Sequence, residues 1–259
     1  MRKKIIDAHI HLDAYREEDR AAILQEAEDD GIDRLISVSS GLASSRVNLA
    51  LSKEYPQVLT AFGYHPEQPL PPEEELADLL QFIRQNSEEM SAVGEVGLPY
   101  YLIKDDPSLP LEPYIELLEA FIQLASELDA PLALHAVYED APLVCGLLEK
   151  HSIQDAHFHW FKGDDKTVER MKQNGYYISV TPDVLYKPKI QKLARDYPLD
   201  QMMVETDGPW PFEGPFLHQV THPKMIHQSV DRIAALKGRA VSSVYRQLYA
   251  NTTRFYRIS

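Results

Sequence analysis

The run Lys3-Lys4-Ile5-Ile6-Asp7-Ala8-His9-Ile10-His11 begins with two lysines, continues as a short apolar segment and ends in two histidines. The apolar segment predicts a β-strand over residues 4–8, and side chains two apart on an extended strand point to the same side. His9 and His11 would therefore project together beyond the strand's carboxyl end. Because two neutral imidazoles aimed at one point can chelate a divalent metal, we ask whether other strands end in further ligands.

The alternation of a short apolar run with a longer amphipathic one continues along the whole chain. Strands are predicted at 4–8, 33–38, 58–63, 91–96, 131–135, 155–160, 176–180 and 201–206. Helices are predicted at about 17–30, 44–54, 73–87, 112–129, 139–150, 164–174, 187–196, 222–237 and 240–250. Parallel strands need long, right-handed crossovers, and eight strand–helix repeats are the number that closes a barrel. The prediction is an α/β protein with one (β/α)8 TIM-type barrel domain spanning residues 1–259.

An open doubly wound sheet is the alternative fold, and it is disfavoured because no Gly-x-Gly-x-x-Gly loop follows the first strand. Three proline-rich stretches at 66–72, 107–113 and 209–215 follow predicted strands. In a barrel such loops lie at the carboxyl-terminal face, where active sites are built. We therefore expect all three to form walls of a pocket.

The composition limits the classes of partner. The 259 residues carry 26 basic and 40 acidic side chains, a formal charge of −14, which disfavours tight binding to a long nucleic-acid duplex. Cys145 is the only cysteine, so no intramolecular disulfide can form, and we expect it to be buried in a helix. The basic start at Met1 leads into no apolar signal core, and no run approaches the roughly 18 apolar residues of a membrane helix. We expect a soluble cytoplasmic protein with no obligate protein partner.

Polar residues that can bind metals stand at the ends of several predicted strands. They are His9 and His11 after strand 1, Glu95 in strand 4, His135 in strand 5, His159 in strand 6 and Asp207 after strand 8. Six nitrogen and oxygen ligands exceed what one tetrahedral zinc uses, and they suit two divalent ions that share a carboxylate and a water. The mixture of imidazoles and carboxylates favours Zn, Mn, Ni or Co over Mg alone.

These motifs and their order resemble the TatD-related metal-dependent hydrolases of the amidohydrolase superfamily over nearly the whole chain. The matching segments are Asp7-Ala8-His9-Ile10-His11-Leu12-Asp13, Gly63-Tyr64-His65-Pro66, Gly94-Glu95-Val96-Gly97-Leu98, Pro131-Leu132-Ala133-Leu134-His135, His159-Trp160-Phe161-Lys162-Gly163, Glu205-Thr206-Asp207-Gly208-Pro209 and Asn251. The resemblance implies a TIM-type barrel, a divalent metal centre and hydrolysis of ester bonds, with deoxyribonuclease activity in some members.

The resemblance also implies roles for single residues. One metal would be held by His9, His11, Glu95 and Asp207, and the second by Glu95, His135 and His159. His159 is preferred to His157, which lies on the same side of strand 6, because the family motif places its histidine just before the x-Phe-x-Gly run. His65 would lie behind the metal ligands or face the substrate, and it would not bind metal. Asp207 would orient the attacking water, accept its proton and return it to the leaving group, with Glu95 beside it as a catalytic carboxylate.

Several positions depart from the family pattern. Pro99 replaces an aspartate, Val137 replaces an arginine, and Glu67 replaces a second histidine. The basic segment after strand 8 is replaced by residues 216–223, in which His218 and His222 are candidate substitutes or plain loop residues. Arginine is a preferred bidentate partner of phosphate, so its loss at position 137 weakens the nuclease hypothesis specifically.

Three functions follow from these observations. The first is a phosphoesterase that acts on a small molecule or on short or single-stranded DNA ends. The second is an amidohydrolase-type enzyme that cleaves a C–O or C–N bond in a small metabolite. For this second substrate, Trp160, Trp210, Phe212 and Phe216 would form an apolar pocket wall, unless they only pack within their loops. The third is a metal-stabilised binding protein without catalytic activity.

Overall fold

A computed structural model describes residues 4–258, so the basic start at Met1 lies outside the described residues. Its centre is one eight-stranded sheet in which every strand pairs in parallel with the next along the chain. The strands are β1 (Ile5–Ile10), β2 (Ile32–Val38), β3 (Val58–Phe62), β4 (Met90–Gly97), β5 (Leu132–His135), β6 (Ala156–Phe158), β7 (Tyr177–Val180) and β8 (Met202–Val204). The predicted barrel is confirmed, and the open doubly wound sheet is wrong.

The barrel is nearly closed by contacts between β1 and the segment that follows β8. The backbone N–H of Asp207 donates to the carbonyl of His9 at 2.9 Å, and the N–H of His11 donates to the carbonyl of Gly208 at 2.8 Å. The buried carboxylate of Asp7 accepts from the backbone N–H of Thr206 at 2.9 Å and from its hydroxyl at 2.5 Å. These bonds bring the first and last strand ends together at one mouth.

Within residues 4–258, ten α-helices surround the sheet. They are α1 (Glu17–Glu26), α2 (Leu42–Glu54), α3 (Glu73–Gln85), α4 (Tyr100–Asp105), α5 (Glu112–Glu127), α6 (Asp140–Lys150), α7 (Asp165–Gln173), α8 (Pro188–Asp196), α9 (Ile226–Lys237) and α10 (Val241–Phe255). The helix predicted at 222–237 begins later, because residues 223–225 form a 3-10 turn in which the His222 imidazole accepts from the N–H of Lys224. The last helix extends five residues beyond its predicted end at 250.

The short helix α4 was not predicted. Its six residues are too few to show a helical period, and its amino-terminal N–H groups are capped by a residue far away in the sequence. The carboxylate of Glu67 accepts from the N–H of Tyr101 at 2.9 Å and from that of Leu102 at 2.8 Å. In the chain, α4 lies between β4 and the stretch 107–113.

Two layers of apolar packing hold the strand ends in place. Inside the sheet, small side chains such as Ala8, Ala61, Ala92 and Ala133 pack with Phe255 from the last helix. A larger cluster fills the space between the strands and the helices, and Cys145 is buried there as expected. Each fully buried aliphatic or aromatic side chain contributes roughly 1.5–3 kcal/mol, so the strands form a stiff frame for the polar residues at their ends. Within residues 4–258, no helix combines the length and apolar character needed to cross a membrane.

Candidate active site

Glu95 lies fully buried at the centre of the strand ends, and its two carboxylate oxygens face different histidines. Oε2 lies 3.1 Å from Nε2 of His9 and 3.2 Å from Nε2 of His11. Oε1 lies 2.7 Å from Nε2 of His159 and 3.1 Å from Nδ1 of His135. The structure thus places all four predicted histidines around one carboxylate, two on each oxygen.

Asp207 joins the group on the Oε2 side of Glu95. Its Oδ1 is 3.5 Å from Nε2 of both His9 and His11, and this oxygen is buried without a hydrogen-bond partner among the described residues. The backbone of Asp207 has φ 50°, a left-handed conformation that costs about 1–3 kcal/mol for a residue other than glycine. Its backbone bond to His9 helps to hold this conformation, which keeps the carboxylate beside the two imidazoles.

The six residues fit divalent metal ions. Two donor atoms bound to one ion at about 2.1 Å lie about 3.0–3.4 Å apart, close to the separations around Glu95. Three groups in the cluster each bring three donor atoms within 4.8 Å of one another: His9–His11–Glu95, His9–His159–Asp207 and His65–Glu95–His135. The unpartnered Oδ1 of Asp207 is a buried acceptor that a cation would satisfy.

The electrostatics of the cluster also favour bound cations. Burial alone would lower the pKa of His11, but the neighbouring carboxylates of Asp207 and Glu95 raise it to about 10. Burial likewise opposes ionisation of Glu95, yet the surrounding histidines hold its pKa well below its ordinary value. The carboxylates therefore stay charged at neutral pH and need positive charge beside them. Because protons and metals compete for the same imidazole nitrogens, metal affinity at this site should fall as the pH is lowered.

Glu67 orients His135 from the side away from Glu95. Its Oε1 lies 3.1 Å from Nε2 of His135, which fixes the proton on Nε2 and leaves the Nδ1 lone pair facing Glu95 and His159. Burial would raise the pKa of Glu67, but the contact with His135 and the two N–H groups of α4 lower it below its ordinary value. A carboxylate behind a histidine in this way is typical of metal sites.

His65 lies beside the cluster, in the position of a supporting residue. Its Nδ1 accepts from the backbone N–H of Glu67 at 3.1 Å, so in the neutral ring the proton is on Nε2. Nε2 lies 3.3 Å from Oε1 of Glu95, which makes His65 a donor to that carboxylate. In this tautomer an N–H faces Glu95. His65, Glu95 and His135 also bring three donor atoms within 4.8 Å of one another, so the exclusion of His65 from the ligand set stays a prediction.

His157 and His159 have different contacts in the structure. Both nitrogens of the buried His157 have partners, Tyr256 hydroxyl at 2.8 Å and Ser179 hydroxyl at 2.6 Å, so neither is available to a metal. His159 has Nε2 at Glu95 and Nδ1 at 3.7 Å from Oε1 of the buried Glu205. Glu205 also accepts from the backbone N–H of Trp160 at 2.6 Å, which ties the loop after β6 to β8.

A pocket of about 430 Å³ opens onto this cluster, within the range of about 300–1,000 Å³ typical of small-ligand sites. Its lining consists of His65, Glu67, Tyr101, His135, Val137, His159, Trp160, Lys162, Asp207, Trp210 and Pro211. A second cavity of about 440 Å³ lies at the opposite end of the strands, among Pro56, Glu89 and Arg257, away from the histidines.

Only part of the predicted pocket wall is present. The stretch 66–72 supplies Glu67, and 209–215 supplies Trp210 and Pro211, but none of residues 107–113 lines the pocket. That third expectation is wrong: α4 follows β4 directly, and its Tyr101 lines the pocket in place of residues 107–113. Phe212 and Phe216 are buried in a cluster with Met225, so they pack beneath Trp160 and do not contact the pocket.

The loop histidines after β8 do not take part in the site. His218 lies at a left-handed position with φ 66°, and His222 lies near Glu26 and Asp30. Neither is among the lining residues. Sequence reasoning did not identify Glu67, Lys162 and Glu205 as functional residues. The signal that could have found them is their spacing, since each lies two or three residues from a histidine or aspartate of the site.

Comparisons with known proteins agree with this geometry. Residues 6–257 match the family model of TatD-related DNases. An uncharacterised metal-dependent hydrolase of Haemophilus influenzae is 40% identical over 98% of this chain and all of its own length. The deoxyribonuclease TATDN3 of Homo sapiens is 28% identical, over 97% of this chain and 94% of its own.

A solved structure has the same fold as this chain. The crystal structure of YJJV, a TatD homologue from Escherichia coli K12, superposes with a TM-score of 0.90 at 27% identity and covers both chains completely. The family match extends over nearly the whole chain and includes every residue of the cluster around Glu95. The chain therefore belongs to the TatD-related DNase family and is a metal-dependent hydrolase.

Proposed function

We propose that this hydrolase is a phosphoesterase that acts on short, single-stranded DNA ends with two divalent ions in its site. The observation that carries the proposal is the division of histidines between the two oxygens of Glu95. His9 and His11 face one oxygen, and His135 and His159 face the other. One carboxylate with two separate sets of nitrogen donors supports a pair of ions that share Glu95.

Zn, Mn, Ni or Co suits these ligands better than Mg alone, because four of the six are imidazoles. When bound, such ions supply a nucleophilic water of lowered pKa and a Lewis acid for the phosphoryl oxygen. Asp207 would accept the proton of that water and return it to the leaving oxygen. Burial opposes its ionisation, but His11 and the other histidines lower the pKa of Asp207, so its carboxylate is a proton acceptor at neutral pH.

The other residues of the cluster would keep these groups in place. His65 donates to Glu95 and would hold its carboxylate in the shared position while it also lines the pocket that receives the substrate. Glu67 would keep the Nδ1 of His135 free of its proton. Neither residue needs to gain or lose a proton during the reaction.

The pocket supports a small or single-stranded substrate. Its volume of about 430 Å³ suits a ligand of the size of a nucleotide. Trp160 and Trp210 offer ring faces to a base, and Lys162 offers a positive charge to phosphate. The net charge of −14 argues against tight duplex binding. We further propose that the protein is cytoplasmic and has no obligate protein partner.

A substrate panel tests the proposal. The protein is incubated with bis-p-nitrophenyl phosphate, labelled single-stranded DNA, lactones or dipeptides, each with Mn, Zn or Mg. We expect hydrolysis of both phosphodiesters and of DNA from an end, with little cleavage of a matched duplex. Activity confined to lactones or dipeptides would contradict the proposal.

The alternative is an amidohydrolase-type enzyme that cleaves a C–O or C–N bond in a small metabolite. Val137 makes one pocket wall apolar where the family pattern has arginine, and Glu67 adds a carboxylate where the family pattern has a histidine. The lactone and dipeptide arms of the panel detect this activity directly.

A further inference from the structure

Lys162 is a pocket residue that the metal cluster does not use. It belongs to the loop after β6, three residues beyond His159, and its side chain lines the same pocket as His135 and Asp207. Its backbone carbonyl accepts from the N–H of Tyr138 at 2.5 Å, which joins the loop after β6 to the loop after β5. The base of the side chain is therefore held in place.

The charge of Lys162 is available to a ligand. Its ammonium lies 4.1 Å from the centroid of the Trp160 ring, and no carboxylate oxygen in the described part of the chain lies within 4.0 Å of it. The nearby carboxylate of Asp183 is already engaged, by Lys187 at 3.2 Å and by the indole N–H of Trp160 at 2.9 Å. A half-buried cation without a carboxylate partner, beside a metal site, is suited to bind an anion.

Lys162 is also the only lysine or arginine among the described residues that line the pocket. The aromatic surface beside it is Trp160, and Trp210 forms another part of the wall with 53% of its surface exposed. An exposed indole at a pocket mouth offers a stacking face to a planar ring. A cation and ring faces in one pocket match a ligand that carries both an anionic group and a base.

We propose that Lys162 binds a second phosphate of the substrate, next to the one that is cleaved. Trp210 stacks on the base of the nucleoside that joins the two phosphates. This inference rests on the proposed phosphoesterase function and narrows its substrate to nucleotides with two phosphates, as at the end of a DNA strand. Lys162 is then a specificity residue, because it contacts the substrate but not the reacting atoms, which lie at the metal cluster.

A pair of ligands that differ by one phosphate tests the proposal without turnover. Calorimetry on the metal-loaded protein compares thymidine 3′,5′-bisphosphate with thymidine 5′-monophosphate. We expect wild-type protein to bind the bisphosphate about tenfold or more tightly than the monophosphate, because a charge-assisted bond is added. In Lys162→Met the preference should fall below about twofold, and Lys162→Arg should keep most of it.

The matched control is Lys187→Met, which removes a lysine whose ammonium lies 5.8 Å from the same Trp160 ring but which does not line the pocket. It should leave the preference unchanged within about twofold, since its charge is screened and paired with Asp183. Lys162→Gln serves as a second variant if the methionine variant does not fold. A preference that survives in a folded Lys162 variant, or that is absent from wild-type protein, overturns the proposal.

Measurements of turnover distinguish a failure of the Lys162 proposal from a failure of the proposed phosphoesterase function. Lys162→Met should raise KM for single-stranded DNA about tenfold, while KM for bis-p-nitrophenyl phosphate, which has one phosphate, should rise by a clearly smaller factor. Failure of wild-type protein to cleave either phosphodiester would contradict the phosphoesterase function. The binding preference would still show whether Lys162 recognises a second phosphate.

Discussion

The inner end of the pocket and its outer wall are built in different ways. The inner end consists of buried side chains at or just beyond strand ends, and each has at least one close partner in the cluster around Glu95. The outer wall consists of Val137, Trp160, Lys162 and Trp210, which stand in loops and are more exposed, apart from Val137. The charged side chain of this wall, Lys162, has no carboxylate partner among the described residues within 4.0 Å.

This difference separates the two tasks of the enzyme. Strand ends held by a packed core can fix nitrogen and oxygen atoms to within the tolerance that metal coordination needs. Loops can change their side chains without disturbing that core, so they are suited to select the substrate. We therefore expect changes at the inner end to affect metal binding and kcat, and changes at the wall to affect KM.

The largest effect is expected from Asp207→Asn at the inner end. Asparagine tolerates the left-handed backbone at this position and keeps an oxygen for the metal, but it cannot accept a proton. The kcat for bis-p-nitrophenyl phosphate should fall about 10³-fold, with metal content unchanged. Steady-state kinetics and elemental analysis on the same preparation measure both. Wild-type turnover in this variant would exclude Asp207 as the proton carrier.

Glu67→Gln tests whether the metal site extends beyond its ligands. Without the carboxylate, the proton on Nε2 of His135 is held less firmly, and metal affinity should fall about 10- to 100-fold. Competition with a chromophoric chelator measures this affinity. The control is Glu127→Gln, which removes a surface carboxylate paired with Arg84 and should have no effect. Equal affinities in the two variants would show that Glu67 only caps α4.

Trp210→Ala tests the outer wall. Loss of a stacking face should raise KM for a single-stranded oligonucleotide about tenfold and leave kcat within about twofold, since Trp210 lies at the mouth of the pocket. Trp210→Phe keeps an aromatic ring and should recover most of the affinity. An unchanged KM in the alanine variant would indicate that the base binds elsewhere.

The smallest effect is expected from pH at Lys162. Burial lowers the pKa of Lys162 to about 8, with Asp183, Asp207 and Glu205 raising it and Lys187 lowering it. The ammonium is charged below this pKa and neutral above it, so the preference for the bisphosphate should decline about fivefold as pH rises through about 8. Phosphate stays fully ionised over this range, because its second pKa is about 6.

Lys162→Arg provides the comparison, because an arginine stays charged throughout and its preference should remain flat with pH. Calorimetry at pH 7 and pH 9.5 measures both proteins. A parallel decline in the arginine variant would assign the pH dependence to another group.

The sequence by itself determined the barrel and the residues that can bind metal. Eight alternations of apolar run and amphipathic run leave few topologies, because parallel strands require long right-handed crossovers. Since all parallel strands point the same way, polar residues at their carboxyl ends must meet at one face. That is why His9, His11, Glu95, His135, His159 and Asp207 could be selected before any distance was known.

Only the tertiary structure decided how these residues are used. His157 and His159 share one side of a strand, so the sequence pattern does not distinguish them. In the structure, His157 bonds to Tyr256 and Ser179, whereas His159 contacts Glu95. Glu67 replaces a histidine in the family pattern, yet its position 3.1 Å from His135 makes it a support for the site. After β4 the pocket is lined by Tyr101 of the short helix α4 and by none of residues 107–113.

The physical reason is the range of the interactions. Strand and helix patterns, and the direction of a strand end, follow from neighbours in the sequence. The tautomer of a histidine, a distant cap on a helix and a lysine without a carboxylate partner depend on residues tens of positions away. Glu67 contacts His135 across 68 positions, and Lys162 has its role only because the loops after β5, β6 and β8 enclose one pocket.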